Sequence, residues 1–404
     1  MKNKVRLAYL VSHPIQYQAP LLREISRQPD IDLTVFFGSD FSVRGYKDRG
    51  FGVGVQWDVP LLDGYRYEFL PALRDKARTG VMSPLNYGLL SRLRGVRGEA
   101  AFDALWVHGY STLNAIQGIL AAEALGIPVI VRAESWLGDR ERNERRLIAK
   151  RLFFKLLKVL VDGVMPIGTL NEEYWHHYLG VDFPQYLMPY AVDNDYFQRQ
   201  ADEARIRRDQ LLDELKLDSA RPVILFASKL QQRKRCEDLI EAYKKLSPGP
   251  GIEPHPYLVI VGDGQERPAL EKQAAGFSGV RFCGFRNQSV LPRFFDIATV
   301  LVLPSKHEPW GLIVNEAMNA GKAVIVSDEV GCHPDLITNG VEGYVFPAGN
   351  VDALAGKLKM LLAEPQTAFE MGQRGLKRIS GWGFEKDIQN LRRALAAITR
   401  KIHA

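Results

Sequence analysis

Glu308 and Glu316 stand on either side of a helix-breaking Pro309-Trp310-Gly311 in LVLPSKHEPWGLIVNEAMNAGKAVIVSD, the stretch from Leu301 to Asp328. The stretch reads as strand, loop, helix, strand. Pro309 and Gly311 interrupt regular structure just before LIVNEAMNA, so a helix is expected to begin near Gly311 with its first N–H groups free. Those amides, at the positive end of the helix dipole, suit a diphosphate. Glu308 precedes the helix and Glu316 lies about a turn and a half inside it, so the two carboxylates can address different parts of one ligand. Two hydroxyl-bearing rings flanking a diphosphate fit that arrangement. Taken alone, Glu308 would be a loop acid supporting the helix end and Glu316 a solvated helix residue.

A second group of residues supplies positive charge. In ILFASKLQQRKRCEDLIEAY, Lys229, Arg233 and Lys234 follow a strand, and cations at the carboxyl end of a first strand can clamp phosphates and stabilise charge on a leaving group. Without the glutamate pair, QQRKR would equally be a solvated basic loop. Gly262 and Gly264 in LVIVGDGQERPALEKQ allow a tight turn at another strand end. His108 closes the strand-like ALWVH, where it is either structural or turned toward a ligand.

These motifs resemble the retaining glycosyltransferases of family four, which have the GT-B fold. The resemblance rests on E-x7-E at Glu308 and Glu316 followed by Ala317, Met318 and Gly321, on the Ser228-Lys229-Leu230…Lys234 loop, and on the Gly-Asp-Gly turn. It covers most of the second half of the chain. It implies transfer of a sugar from a nucleotide-diphosphate donor with retained configuration, no metal and no other cofactor. Glu308 would hold the sugar's hydroxyls, helped by the amides of Gly311, Leu312 and Ile313. Glu316 would take the ribose, and backbone around Gly284, Phe285 and Arg286 would meet the nucleobase. Lys229 and Lys234 would carry the phosphates; the family uses Arg where Lys229 stands, and Arg233 in the same loop is a candidate source of the missing guanidinium. The departing phosphate would take the acceptor's proton. His108 would face the transferred sugar. In place of the family's Gly-Gly loop after the first strand the chain has Ser12-His13-Pro14-Ile15-Gln16-Tyr17, so that wall departs from the common pattern.

Positioning such a site calls for α/β layers, and the chain has their grammar. Short β-branched runs begin at Val5, Leu33, Ala104, Pro128 and Gly163, then at Pro222, Tyr257, Val280, Val300 and Ala323, with helix-length segments between. Two doubly wound Rossmann-like domains facing a central cleft follow, 1–195 on the acceptor side and 196–384 on the donor side. The tail, about 385–404, reads as a helix packing back on the first domain. Asp193-Asn194-Asp195 has the D-x-D form of a metal site, but its place before a helix-like run reads as a turn and cap. Trp57, Tyr65, Tyr110 and Trp136 could stack on sugars or fill cores.

The 404 residues exceed one ordinary core, and 46% hydrophobic with 25% charged residues describes a soluble globular chain. A net charge of +6 is a mild bias and does not point to nucleic acid. Cys236, Cys283 and Cys332 form no C-x-x-C pair, so neither disulfide framework nor zinc cage is expected, and a reducing cytoplasm is. The opening MKNKVRLAYLVSHP stops short of a signal-peptide core, and no apolar stretch is long enough to span a bilayer. RERNERRLIAKRLFFKLLKVLVDG, from Arg140, is basic and amphipathic. It either packs its apolar face on the domain core with its basic face in water, or lies on anionic lipid. The expected partners are a nucleotide-sugar donor and a glycan or lipid-linked glycan acceptor in cell-surface polysaccharide or glycoconjugate synthesis, with the inner face of the cytoplasmic membrane open as a working surface. The alternatives are a sugar-nucleotide epimerase, a phosphorylase, or a non-catalytic sugar-nucleotide binding module.

Overall fold

The computed structural model describes residues 4–48, 50–76, 78–95, 101–246 and 255–400. The chain divides into two units, Met1–Tyr46 with Val59–Tyr190 and Phe384–Ala404, and Lys47–Asp58 with Ala191–Gly383.

The first unit has six parallel strands, five of them from apolar runs: β1 (Val5–Val11), β2 (Ile31–Phe37), β3 (Arg66–Phe69), β4 (Ala104–His108), β5 (Val129–Arg132) and β6 (Gly163–Val164), β3 being the exception. They lie in the order β6-β5-β4-β1-β2-β3. Strands β1, β4 and β5 are almost wholly buried, as unbroken apolar runs in a sheet covered on both faces should be. The chain builds outward from β1 in one direction and from β4 in the other, so the loops after these two strands part and leave a crevice. Helices α1 (Ala19–Ser26), α2 (Leu113–Glu123) and α3 (Glu144–Leu160) connect strands, and α4 (Thr169–Leu179) follows β6. The C-terminal helix Phe384–Arg400 completes one face: Ile388, Leu391, Leu395 and Ile398 are buried in the same cluster as Leu7, Tyr9, Ile25 and Val35.

The second unit repeats the plan. Helix α5 (Asn194–Ile206) leads to β7 (Val223–Ala227), α6 (Cys236–Lys244), β8 (Tyr257–Val261), β9 (Val280–Phe282), β10 (Val300–Leu303), α7 (Leu312–Asn319), β11 (Ala323–Ser327) and β12 (Gly343–Phe346). The strands are parallel, in the order β9-β8-β7-β10-β11-β12, and the switch point falls between β7 and β10. Asp193 caps α5 by accepting from the Tyr196 amide at 2.9 Å, which is what its side chain does in the D-x-D triplet.

Two placements differ from the sequence reading. Strands β3 and β12 escaped it: RYEF alternates charged with aromatic residues, and GYVF is short and opens on glycine. Residues 47–58, read with the first domain, fold in the second unit. Asp48 pairs with Lys229 there, the Phe51 ring lies 4.7 Å from that of Phe285, and the Gln56 carbonyl accepts from Asn287 at 2.8 Å. In α3 only Phe154 and Leu157 are fully buried, so its remaining apolar residues do not all face the core.

Candidate active site

In the second unit, the loops leaving β7 and β10 carry the charged groups that the sequence singled out. After β7 the chain makes a short 3-10 turn, Gln232–Lys234, which carries Lys234 inward until it is only 7% exposed. Its Nζ donates to Glu308 Oε2, and Arg233 Nη1 approaches the same oxygen at 3.1 Å. Burial pushes the Glu308 carboxyl up, but Lys234 and Arg233 outweigh it and hold it below its ordinary value, so it stays ionised. Lys229 is turned elsewhere: Nζ meets both Asp48 oxygens at 3.0 and 2.9 Å and lies 4.7 Å from the centre of the Phe51 ring. Arg233, beside Glu308, is thus the guanidinium of this loop that reaches the pair.

The loop holding Glu308 is pinned from behind. The Glu308 amide donates to the Glu329 carbonyl, and the Glu308 carbonyl accepts from Gly331, both at 3.0 Å. A Cβ at Gly331 would stand 2.0 Å from the Pro309 carbonyl, so the two loops approach at a distance only glycine allows. Trp310 is buried, donates to Asn315 Oδ1 at 2.9 Å and stacks on Trp382 at 5.6 Å. Gly311 adopts φ +95° and begins α7 with no side chain to cap the first amides. The helix start at Leu312 and Ile313 is therefore open to an anion.

Glu316, one turn into α7, is 9% exposed. Its Oε2 is buried and accepts no hydrogen bond, and burial pushes its carboxyl up to about 8. A buried carboxylate oxygen without a donor is costly in isolation and calls for a hydroxyl partner.

The Gly-Asp-Gly turn packs against the β7 loop. At Gly262, φ is +140° and a Cβ would lie 1.9 Å from the Ser228 carbonyl. The Gly262 amide donates to the Gly284 carbonyl at 2.8 Å, which ties the turn to Gly284, Phe285 and Arg286 beyond β9. Phe285 contacts Phe51 and Trp57, and Arg286 donates to the Cys283 carbonyl at 3.1 Å. Glu308, Arg233, Lys234, the α7 start and Glu316 gather at the β7/β10 switch point, where open α/β sheets bind ligands.

His108 belongs to the first unit and ends β4 at that unit's own switch point. Gln18 Nε2 lies 3.1 and 3.0 Å from its two ring nitrogens, and Tyr9 donates to Gln18 Oε1 at 2.8 Å. Glu134, just past β5, comes within 3.5 Å of His108 Nε2 and accepts from the hydroxyls of Tyr17, at 3.1 Å, and Tyr190. Burial pushes Glu134 up, but His108 and the two tyrosines more than compensate and keep it below its usual value. His13, stacked on Phe41 at 4.5 Å, is driven down to about 4 by burial and by the charge of His108. Sequence reading missed Glu134 and Gln18. A carboxylate just beyond the apolar strand VIVR was the available signal for the first. Tyr110 hydrogen-bonds Ser135 and Tyr174, and Tyr65 donates to the Leu61 carbonyl, both in structural roles.

The family model described as glycosyl transferases group 1 matches residues 207–378. The matched residues lie within the second unit, which is thus similar to group 1 glycosyl transferases. Among curated relatives, an alpha-D-kanosaminyltransferase of Streptomyces kanamyceticus is 30% identical over 185 residues, 45% of this chain and 46% of that protein. A D-inositol 3-phosphate glycosyltransferase of Jonesia denitrificans is 26% identical over 292 residues, 67% of each chain. The chain thus spans about half the length of the first relative and two thirds of the second. Among solved structures, Anabaena HepE in complex with UDP superposes with a TM-score of 0.72 at 16% identity, covering 98% of this chain and 100% of that one. The fold is therefore that of GT-B glycosyltransferases, two parallel-sheet Rossmann-like domains.

Proposed function

We propose that the chain is a retaining, metal-independent glycosyltransferase that moves a sugar from a nucleotide-diphosphate donor to a glycan or lipid-linked acceptor. One observation carries this reading: the Arg233–Lys234–Glu308 cluster, the uncapped start of α7 and the unpartnered Glu316 converge at the switch point of the unit that is similar to group 1 glycosyl transferases. The Anabaena structure that the chain resembles is a complex with UDP, which supports a nucleotide in this domain.

As the glycosidic bond breaks, the diphosphate gains negative charge. Lys234 and Arg233 supply fixed positive charge to it, and the amides of Leu312 and Ile313 add dipoles that need no reorganisation. The sugar's hydroxyls donate to Glu308, whose ionised state suits that task, and a ribose hydroxyl donates to Glu316. Lys229 joins the phosphate site when its pairing with Asp48 is exchanged for the ligand. Within the first unit, Glu134 orients His108. The departing phosphate takes the acceptor's proton, so no separate base is required. We place this work in the cytoplasm at the membrane surface, as part of surface glycan assembly; no helix of the described residues is long and apolar enough to cross a membrane.

The test is donor binding and turnover. UDP, GDP, ADP and dTDP are compared by thermal shift, and one of them should raise the melting temperature by several degrees. With the matching donor, Lys234→Ala and Glu308→Gln should cut transfer by about a hundredfold or more while the fold persists. Full turnover by either variant would sink the assignment.

A further inference from the structure

Helix α3 presents two apolar faces. Phe154 and Leu157 enter the core of the first unit, and Lys150 lies over the rings of Tyr174 and Tyr178 at 4.4 and 4.7 Å. Ile148, Leu152, Leu156 and Val159 lie on the opposite side and are 64%, 60%, 59% and 75% exposed. At 3.6 residues per turn these four fall within about 80° of one another, a continuous stripe three turns long. Isolated exposed aliphatic residues are ordinary on a protein surface, but an ordered row of this kind is not. Arg151, Lys155 and Lys158, all exposed, run along one flank, and the exposed Arg145 stands at the N-terminal end of the stripe itself. The only carboxylate in the helix is Glu144, in its first turn.

We propose that this outer face of α3 docks in the plane of an anionic phospholipid surface, the aliphatic stripe entering among the acyl chains and the basic flank meeting phosphate headgroups. The charge pattern selects that occupant. A second copy of the chain would bring two like-charged basic flanks together around the stripe, whereas an anionic bilayer satisfies apolar and basic residues at once. The docked helix would hold the first unit at the surface where a lipid-linked acceptor lies. This deepens the membrane part of the function proposed above and rests on it only for its purpose, since binding is read without turnover.

The full-length chain is floated with vesicles of equimolar phosphatidylglycerol and phosphatidylcholine, and with phosphatidylcholine alone, at low and high salt. The expected result is capture by the anionic vesicles only, reversed by high salt. The double substitution Leu152→Glu/Leu156→Glu should lower the vesicle partition coefficient by about tenfold or more, as should Arg151→Glu/Lys155→Glu. Melting temperature and the donor-induced thermal shift should stay unchanged in both variants. Failure of the native chain to bind anionic vesicles overturns the proposal, as does full binding by Leu152→Glu/Leu156→Glu. So does a native dimer that this variant dissolves, because the stripe would then be a protein contact. Loss of donor binding or turnover with vesicle capture intact would instead refute the enzymatic reading and leave the docking face standing.

Discussion

Glu316 is a carboxyl group kept dry, and its titration is therefore a reporter of the proposed donor site. The folded chain holds a proton on Glu316 up to about pH 8, whereas the unfolded chain releases it near 4.5. Its contribution to stability is intact below the lower value and is lost as pH rises through the higher, a difference on the order of 5 kcal/mol. Glu316→Gln should flatten the fall in melting temperature between pH 5 and pH 8 (about the range of the shift) and raise the donor KM. An equally steep fall in the variant would show that Glu316 is not the titrating group. Asp387 in the C-terminal helix, pushed by burial to about 8, titrates in the same window and remains as the internal control. At this scale the sequence singled out Glu308, Glu316 and Lys234, which the structure gathers at one switch point, because one local stretch or one loop carries each of them. The Gln18–His108–Glu134 group was only one-third legible, since three distant segments build it and only the sheet order brings them together.

Two glycines set how closely the loops of the proposed donor site can pack on one another. At Gly262 an added Cβ would meet the Ser228 carbonyl at 1.9 Å, backbone that cannot swing aside, and φ is already in the left-handed half. Gly262→Ala should cost more than about 2 kcal/mol in denaturant unfolding and displace the β7 loop, so that donor affinity falls with stability. At Gly311 the clash is with the tips of Leu303 and Val330, each 2.9 Å away, and side chains can yield. Gly311→Ala should be milder in stability yet still weaken donor binding, because strain at φ +95° falls on the amides that start α7. Equal stability losses at both positions would contradict this distinction. The sequence announced these turns through Gly-Asp-Gly and Pro-Trp-Gly. It gave no sign that residues 47–58 would lie beside them, because the Asp48–Lys229 pair spans most of the first half of the chain. The amphipathic signal in α3 was plain, but which apolar residues faced inward depended on neighbours that only the fold supplies.

Over the whole molecule, the ten apolar runs read from sequence all became strands of two parallel sheets, since buried central strands are written in unbroken β-branched residues. The C-terminal helix places four large aliphatic side chains in the first unit's core, worth about 8 kcal/mol at ordinary transfer values, comparable to the stability of an entire domain. Deleting residues 384–404 should abolish the first unit's melting transition while the second unit still unfolds cooperatively; two intact transitions after deletion would disprove that dependence. Because the first unit is begun by the earliest residues and finished by this late helix, the second is an insertion within it. On the ribosome, at about 5–20 residues per second, the N-terminal half must wait some ten to forty seconds with an aliphatic groove uncovered. The part made later can therefore reach its native state first, and the nascent chain's demand for chaperones should peak before the last helix emerges.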